Sequence, residues 1–213
     1  MVAADIDVGI NLPAFTGLRG RRFEATEINV SDNNLALGDT AFAPIILGWH
    51  SGNFHWNAAL YGVAPTGDYE LRQLANTSLN RWAIMPQVGG TYLNPQAGWQ
   101  ASGVAVYSFS FENDKTAYDT GDILNLEGSI TKNFGRLGIG VVGYGMIQTT
   151  ADNGAGAQLG AFKSQVFGAG PILTYTIGEP TNPLTVIVKY YKEFEARNTF
   201  EGEIFDAGVT FKF

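Results

Sequence analysis

The chain ends in IFDAGVTFKF, residues 204–213, and every second residue of that stretch is apolar: Phe205, Ala207, Val209, Phe211 and Phe213. Asp206, Gly208, Thr210 and Lys212 stand between them. Successive side chains of a strand point to opposite faces, so the stretch reads as a β-strand with one apolar and one polar face. The same period recurs upstream. Ala4, Ile6, Val8, Ile10 and Leu12 oppose Asp5, Asp7, Gly9 and Asn11, and Phe54, Trp56, Ala58 and Leu60 oppose Asn53, His55, Asn57 and Tyr61. Trp99, Ala101, Ala105, Tyr107, Phe109 and Phe111 share a face opposite Gln100, Ser102, Ser108 and Ser110. Leu124, Leu126 and Ile130 oppose Asn125, Glu127, Ser129 and Thr131. Leu184, Val186, Val188 and Tyr190 oppose Thr185, Lys189, Tyr191, Glu193 and Glu195.

These segments amount to about ten strands, near 3–12, 40–50, 53–64, 80–94, 97–111, 120–133, 136–149, 162–177, 184–195 and 203–213. DYELRQLA (68–75) suggests a turn or two of helix. Residues 22–31 alternate poorly, so 14–39 is expected to be a long external loop holding at most a short strand. Short connections rich in Gly, Asn or Pro (HSGN 50–53, LNPQAG 93–98, NFGRLG 133–138, GEPTNP 178–183) alternate with longer polar ones. The expected fold class is all-β: one domain over 1–213, an antiparallel up-and-down transmembrane β-barrel.

Composition narrows the function. Of 213 residues, 45% are hydrophobic and only 15% charged, and the formal charge of −7 argues against nucleic acid, whose phosphates need a basic surface. Without cysteine there is no disulfide framework, zinc–thiolate site or thiol nucleophile. No run of about 18 apolar residues is present, which excludes a transmembrane helix. The opening MVAADIDVGI lacks the basic and apolar regions of a signal peptide, so any such leader is expected to be already removed or left out.

Alternation by itself does not say which face is wet. A soluble barrel hides its apolar face; a membrane barrel turns it to lipid and keeps the polar face in its lumen. Strands of about ten residues match a tilted crossing of a bilayer. Trp49, Phe54, Trp56, Tyr92, Trp99, Phe134, Tyr175, Phe211 and Phe213 lie beside the short turns, where they would form an aromatic girdle at one interface. Asp5, Asp7, Glu127, Lys189, Glu193 and Asp206 recur within strands on the polar face, and a dry core would not hold that many ions. An even strand count would place both termini on the periplasmic side.

Several stretches also resemble a known family. GDTAFAPIILGWHSGNFHW (38–56), APTGDYELRQLANTSLNRWAIMPQVGGTYL (64–93), YDTGDILNLEGSITKNFGRLGIGVVGYGMIQTTADNGAGAQLGAFKSQVFGAGPILTY (118–175) and KYYKEFEARNTFEGE (189–203) are similar to the MetA-pathway of phenol degradation family. The resemblance covers about residues 35 to 213; residues 14–33 carry none. It implies an outer-membrane barrel of Gram-negative bacteria linked to uptake of hydrophobic or aromatic compounds. Members of the family usually begin with a signal peptide and further strands, so a twelve-strand parent also fits. A terminal aromatic after alternating apolar residues resembles the signal read by the outer-membrane insertion machinery. That machinery, the lipid bilayer with its lipopolysaccharide, and a small-molecule solute are the expected partners.

No enzyme is expected. His50 and His55 are the two histidines, and a Ser-His-Asn hydrolase would need Ser51 and a histidine within hydrogen-bond reach. Adjacent strand residues face opposite ways, which leaves His55 a polar wall residue. Asp5 and Asp7 could share a hydrated calcium, but a polar wall accounts for them more simply. LGIGVVGYG (137–145) lacks the helix and lysine of a phosphate loop. No cofactor and no metal are expected.

The lumen-lining candidates are Asp5, Asp7, Asn11, Asn53, His55, Asn57, Tyr61, Arg81, Gln87, Gln100, Asn125, Glu127, Lys189, Tyr191, Glu193, Asp206 and Lys212. Lys189 and Glu193 are expected to meet Asp206 and Lys212 on the adjoining strand. Pro86 and Pro171 interrupt strand hydrogen bonding and are read as bulges in preference to a lateral gap. The expected function is passive passage of small solutes, hydrophobic or aromatic ones included, through a narrow polar lumen. The alternative is a non-transporting structural or surface-interaction barrel closed by internal salt bridges.

Overall fold

A computed structural model describes residues 2–12, 15–16, 22–23, 26–179 and 182–211, with side chains from residue 33 onward. The described elements are all strands: β1 (Val2–Leu12), β2 (Phe15–Thr16), β3 (Arg22–Phe23), β4 (Thr26–Ala36), β5 (Thr40–Ser51), β6 (Phe54–Ala64), β7 (Ala83–Asn94), β8 (Trp99–Ser110), β9 (Ile123–Phe134), β10 (Leu137–Gln148), β11 (Gln165–Ile177), β12 (Leu184–Arg197) and β13 (Glu203–Phe211). Residues 68–75 form turns and no helix. β5 to β13 build one nine-stranded antiparallel sheet in which every strand pairs with its neighbours in sequence. That order is an up-and-down meander.

All ten expected strands are present. The stretch read as the loop 14–39 is corrected in part, because β4 pairs residue for residue with β1, from Val2↔Ala36 to Leu12↔Thr26, as a separate two-stranded sheet. With β4 counted, the even-number argument for the termini no longer carries weight.

Local chemistry sets the tight turns. β5–β6 and β9–β10 are joined by two-residue loops whose first residue, Gly52 or Gly135, has φ of 57° or 63°. Glycine at the first central position with positive φ is the pattern of a II′ turn, whose twist suits a hairpin. Register slips at Phe42/Ile45, around Pro44, and at Gln165/Phe167. The bulges expected at Pro86 and Pro171 are absent: Pro86 stays opposite Leu60 and Pro171 opposite Val141. A proline removes one donor, and both strands continue in register past it.

One face of the sheet exposes large apolar side chains, and the concave face buries polar and apolar ones together. Val142, Ile172 and Tyr191 form the small buried cluster, with Tyr144 and Ile187 packed against it. Thr131, Gln148 and Ser108 are buried on that same concave face. Across the wall, Val141 is 63% exposed and Val88 60%. The accessible surface, 14312 Å², exceeds the roughly 9,600 Å² expected for a soluble monomer of 22.9 kDa. Two faces of one wall are being counted, and no large side chain is fully buried among the described residues.

Glycines sit where the curl crowds the concave face. A Cβ on Gly140 would lie 2.0 Å from the Ile130 carbonyl oxygen, and one on Gly170 1.9 Å from that of Tyr190. Only hydrogen fits at such approaches.

Candidate functional site

The polar side chains of the concave face meet in its middle. Lys189 Nζ on β12 donates to Glu127 Oε1 on β9 at 2.9 Å, and Tyr191 Oη donates to the same oxygen at 3.0 Å. Neighbouring strands lie about 4.8 Å apart, so these strands would be about 14 Å apart in a flat sheet. The contact therefore measures the curl. Tyr144 Oη donates to the Glu193 carboxylate, whose other oxygen accepts from Gly202 N at 2.6 Å. The Tyr144 and Tyr191 rings meet edge to face, centroids 5.2 Å apart. Asp206 is the register partner of Lys189, as expected, yet the lysine forms its ion pair with Glu127. Curvature brings β9 nearer to that ammonium than a flat sheet allows.

Beside this crossbar lies a cleft of about 390 Å³ lined by Asn57, Gln87, Thr91, Ser102, Glu127 and Ser129, with Gly89, Gly90, Gly103 and Gly128 between them. Gln87 Nε2 donates to Asn57 Oδ1 at 3.4 Å, Thr91 and Ser102 hydroxyls meet at 3.0 Å, and Gln100 donates to Ser102 Oγ at 3.4 Å. On the outer face an apolar groove of about 700 Å³ shares Ser102, Gly103, Gly128 and Ser129 with it. Gly90, Gly103, Gly128, Gly143 and Ala169 stand in cross-strand register there, so the wall thins to little more than backbone.

The other expected wall residues do not all reach the concave face. Tyr61 and Asn125 fall on the concave face, opposite Met85 and opposite Val106 and Met146. His55 faces its register partner His50, the two Nδ1 atoms 2.8 Å apart. Asn53 lies in the two-residue turn. Arg81 is a correction: it precedes β7, in the connection 65–82, and lines a separate pocket. Asp5, Asp7 and Asn11 lie in β1 opposite Asn33, Ser31 and Glu27, with side chains outside the described set. Lys212 and Phe213 lie outside the described residues. Tyr144 escaped sequence reading because its strand is glycine-rich; its even-numbered phase with Gly138, Gly140 and Val142 was the available signal.

Aromatics flank the short turns on the outer face. Trp49 pairs with Trp56, Phe54 stacks near Tyr92 with centroids 5.1 Å apart, and Lys132 lies over the Trp99 ring at 5.1 Å. Tyr175 opposes Leu137 and Phe211 opposes Leu184.

At the opposite end the long connections bind one another. Asp39 accepts from Gly67 N (3.1 Å), Ser78 Oγ (2.6 Å) and Leu79 N (3.0 Å), tying the start of β5 to the loop 65–82. Tyr118 Oη donates to Asp152 Oδ2 at 2.7 Å, and Asp119 bridges Asn153. Desolvation, reinforced by the Asp152 carboxylate, pushes the Tyr118 phenol up to about 12. Burial lowers the Arg81 guanidinium from its ordinary value, and Asp119 and Tyr118 partly offset that.

The family model described as the MetA-pathway of phenol degradation matches residues 2–207. The chain belongs to that family. The match begins well before residue 35, so it takes in residues 14–33, where no resemblance was legible. Neither a curated protein nor a solved structure matches the chain. The membership and the all-β fold are compatible with an outer-membrane location and with a part in phenol degradation.

Proposed function

We propose that this family member is an outer-membrane β-barrel of a Gram-negative bacterium that passes small solutes, hydrophobic or aromatic ones included, passively through a polar lumen. The observation that carries the reading is the inversion of its faces: Val141 is 63% exposed while Thr131, one face away, is buried. A bilayer removes the cost of that apolar wall, and a wet interior removes the cost of Glu127 and Lys189. Trp49, Trp56, Tyr92, Trp99, Tyr175 and Phe211 then form the interfacial girdle. Lipid, lipopolysaccharide and the insertion machinery are its partners. Catalysis is not part of the reading.

The crossbar favours a second reading. Glu127, Lys189 and Tyr191 span the concave face as a plug would, which suits a closed, non-transporting barrel. Purified protein in planar bilayers separates the two. Discrete conductance steps, with swelling of liposomes in small solutes, support the channel; silence in both assays overturns it.

A further inference from the structure

The loop end holds a pocket that the channel reading leaves unused. It offers about 510 Å³, open to solvent, between the connections 65–82 and 111–122, with Gly156 also on its lining. Tyr69, Leu74 and Leu79 supply apolar surface, and Arg81 and Thr120 supply polar groups. Arg81 Nη1 and Thr120 Oγ1 are each shut off from solvent without a hydrogen-bond partner. Arg81 forms no ion pair among the described residues.

The surrounding frame is held by bonds that do not use them. Asn80 Nδ2 donates to Asn113 Oδ1 at 2.8 Å, Asn113 Nδ2 to the Leu79 carbonyl at 3.1 Å, and Lys115 Nζ to the Tyr69 carbonyl at 2.9 Å. Lys115 also stands over the Tyr69 ring, 5.3 Å from its centroid. Asp119, the nearby acid, has its Oδ1 engaged by Gly121 N at 2.8 Å. A half-buried guanidinium that the frame does not need is a costly thing to leave unpaired. Arg presents a planar fork of donors that matches a carboxylate.

We propose that this pocket binds a small organic anion, a carboxylate on a flat apolar body, with the carboxylate held by Arg81 and Thr120 and the body laid against Tyr69, Leu74 and Leu79. The site names a solute class for the channel and rests on that reading for its part in transport, though not for binding.

The test uses the full chain in detergent micelles, titrated with benzoate and with benzyl alcohol as the neutral probe of like shape, and followed by calorimetry. Benzoate is expected to bind saturably and at least tenfold more tightly than benzyl alcohol. Arg81→Gln is expected to abolish that preference, Arg81→Lys to keep part of it, and Arg72→Gln, at an exposed position, to leave it intact. Heat-modifiable electrophoretic mobility certifies the fold of each variant. Equal affinity for the two probes, or undiminished benzoate binding by folded Arg81→Gln, overturns the proposal. A protein that binds benzoate yet conducts nothing sinks the channel and leaves the pocket; one that conducts but shows no Arg81-dependent preference does the reverse.

Discussion

Lys189 and Glu127 join at 2.9 Å although 62 residues and three strand intervals separate them. The pair is half open to solvent, with side chains 25% and 43% exposed, so its place across the concave face matters more than its contribution to stability. Exposed pairs contribute up to about 1 kcal/mol. Lys189→Ala is therefore expected to cost less than about 1 kcal/mol in urea unfolding, and Glu127→Ala, which also strands the hydroxyl of buried Tyr191, about 1–3 kcal/mol. If the crossbar gates the barrel, each raises single-channel conductance at least twofold over the parent, read in planar bilayers.

Two glycines of similar strand context should respond differently to a methyl group. Gly170→Ala places a Cβ 1.9 Å from a backbone oxygen that cannot move alone, and a cost of about 1–3 kcal/mol is expected. Gly103→Ala meets nothing closer than 3.8 Å and should fall within about 0.5 kcal/mol of the parent. Urea unfolding of the two variants side by side is the check.

Asp39 gathers three donors from the loop 65–82. Asp39→Ala leaves them without their acceptor, the buried Ser78 hydroxyl among them, and should loosen that loop by about 1–3 kcal/mol. Limited proteolysis should then cut within 65–82 several-fold faster, while β5–β13 stay protected.

Tyr118 has its folded pKa raised, to about 12, above the ordinary phenol value near 10. A group raised in this way contributes stability that is fully present below about pH 10 and is lost as pH climbs to about 12. Tyrosinate absorbance should place the Tyr118 phenol among the late-titrating ones, accompanied by loosening of the contact with Asp152. Tyr118→Phe should lower the amplitude of the late component by one phenol and leave the rest of the titration in place.

The strands and their two faces could be read directly from the sequence, because the period of two belongs to the extended backbone and needs no partner to express itself. Phe205, Val209 and Phe211 alternating with Asp206 and Thr210 already specify β13 and which of its sides is apolar. The candidate site was legible only as a set of polar positions. Which of them meet depended on curvature: Asp206 is beside Lys189 in register, but the curl presents Glu127 instead. β4 hid because TEINVSDNNLA alternates poorly and is matched only by its pairing with β1. Arg81 was placed on the wall by its neighbours in sequence, whereas the long connections hold it in a pocket of their own. Contacts of that kind join residues that no local period relates, and only the tertiary fold could decide them.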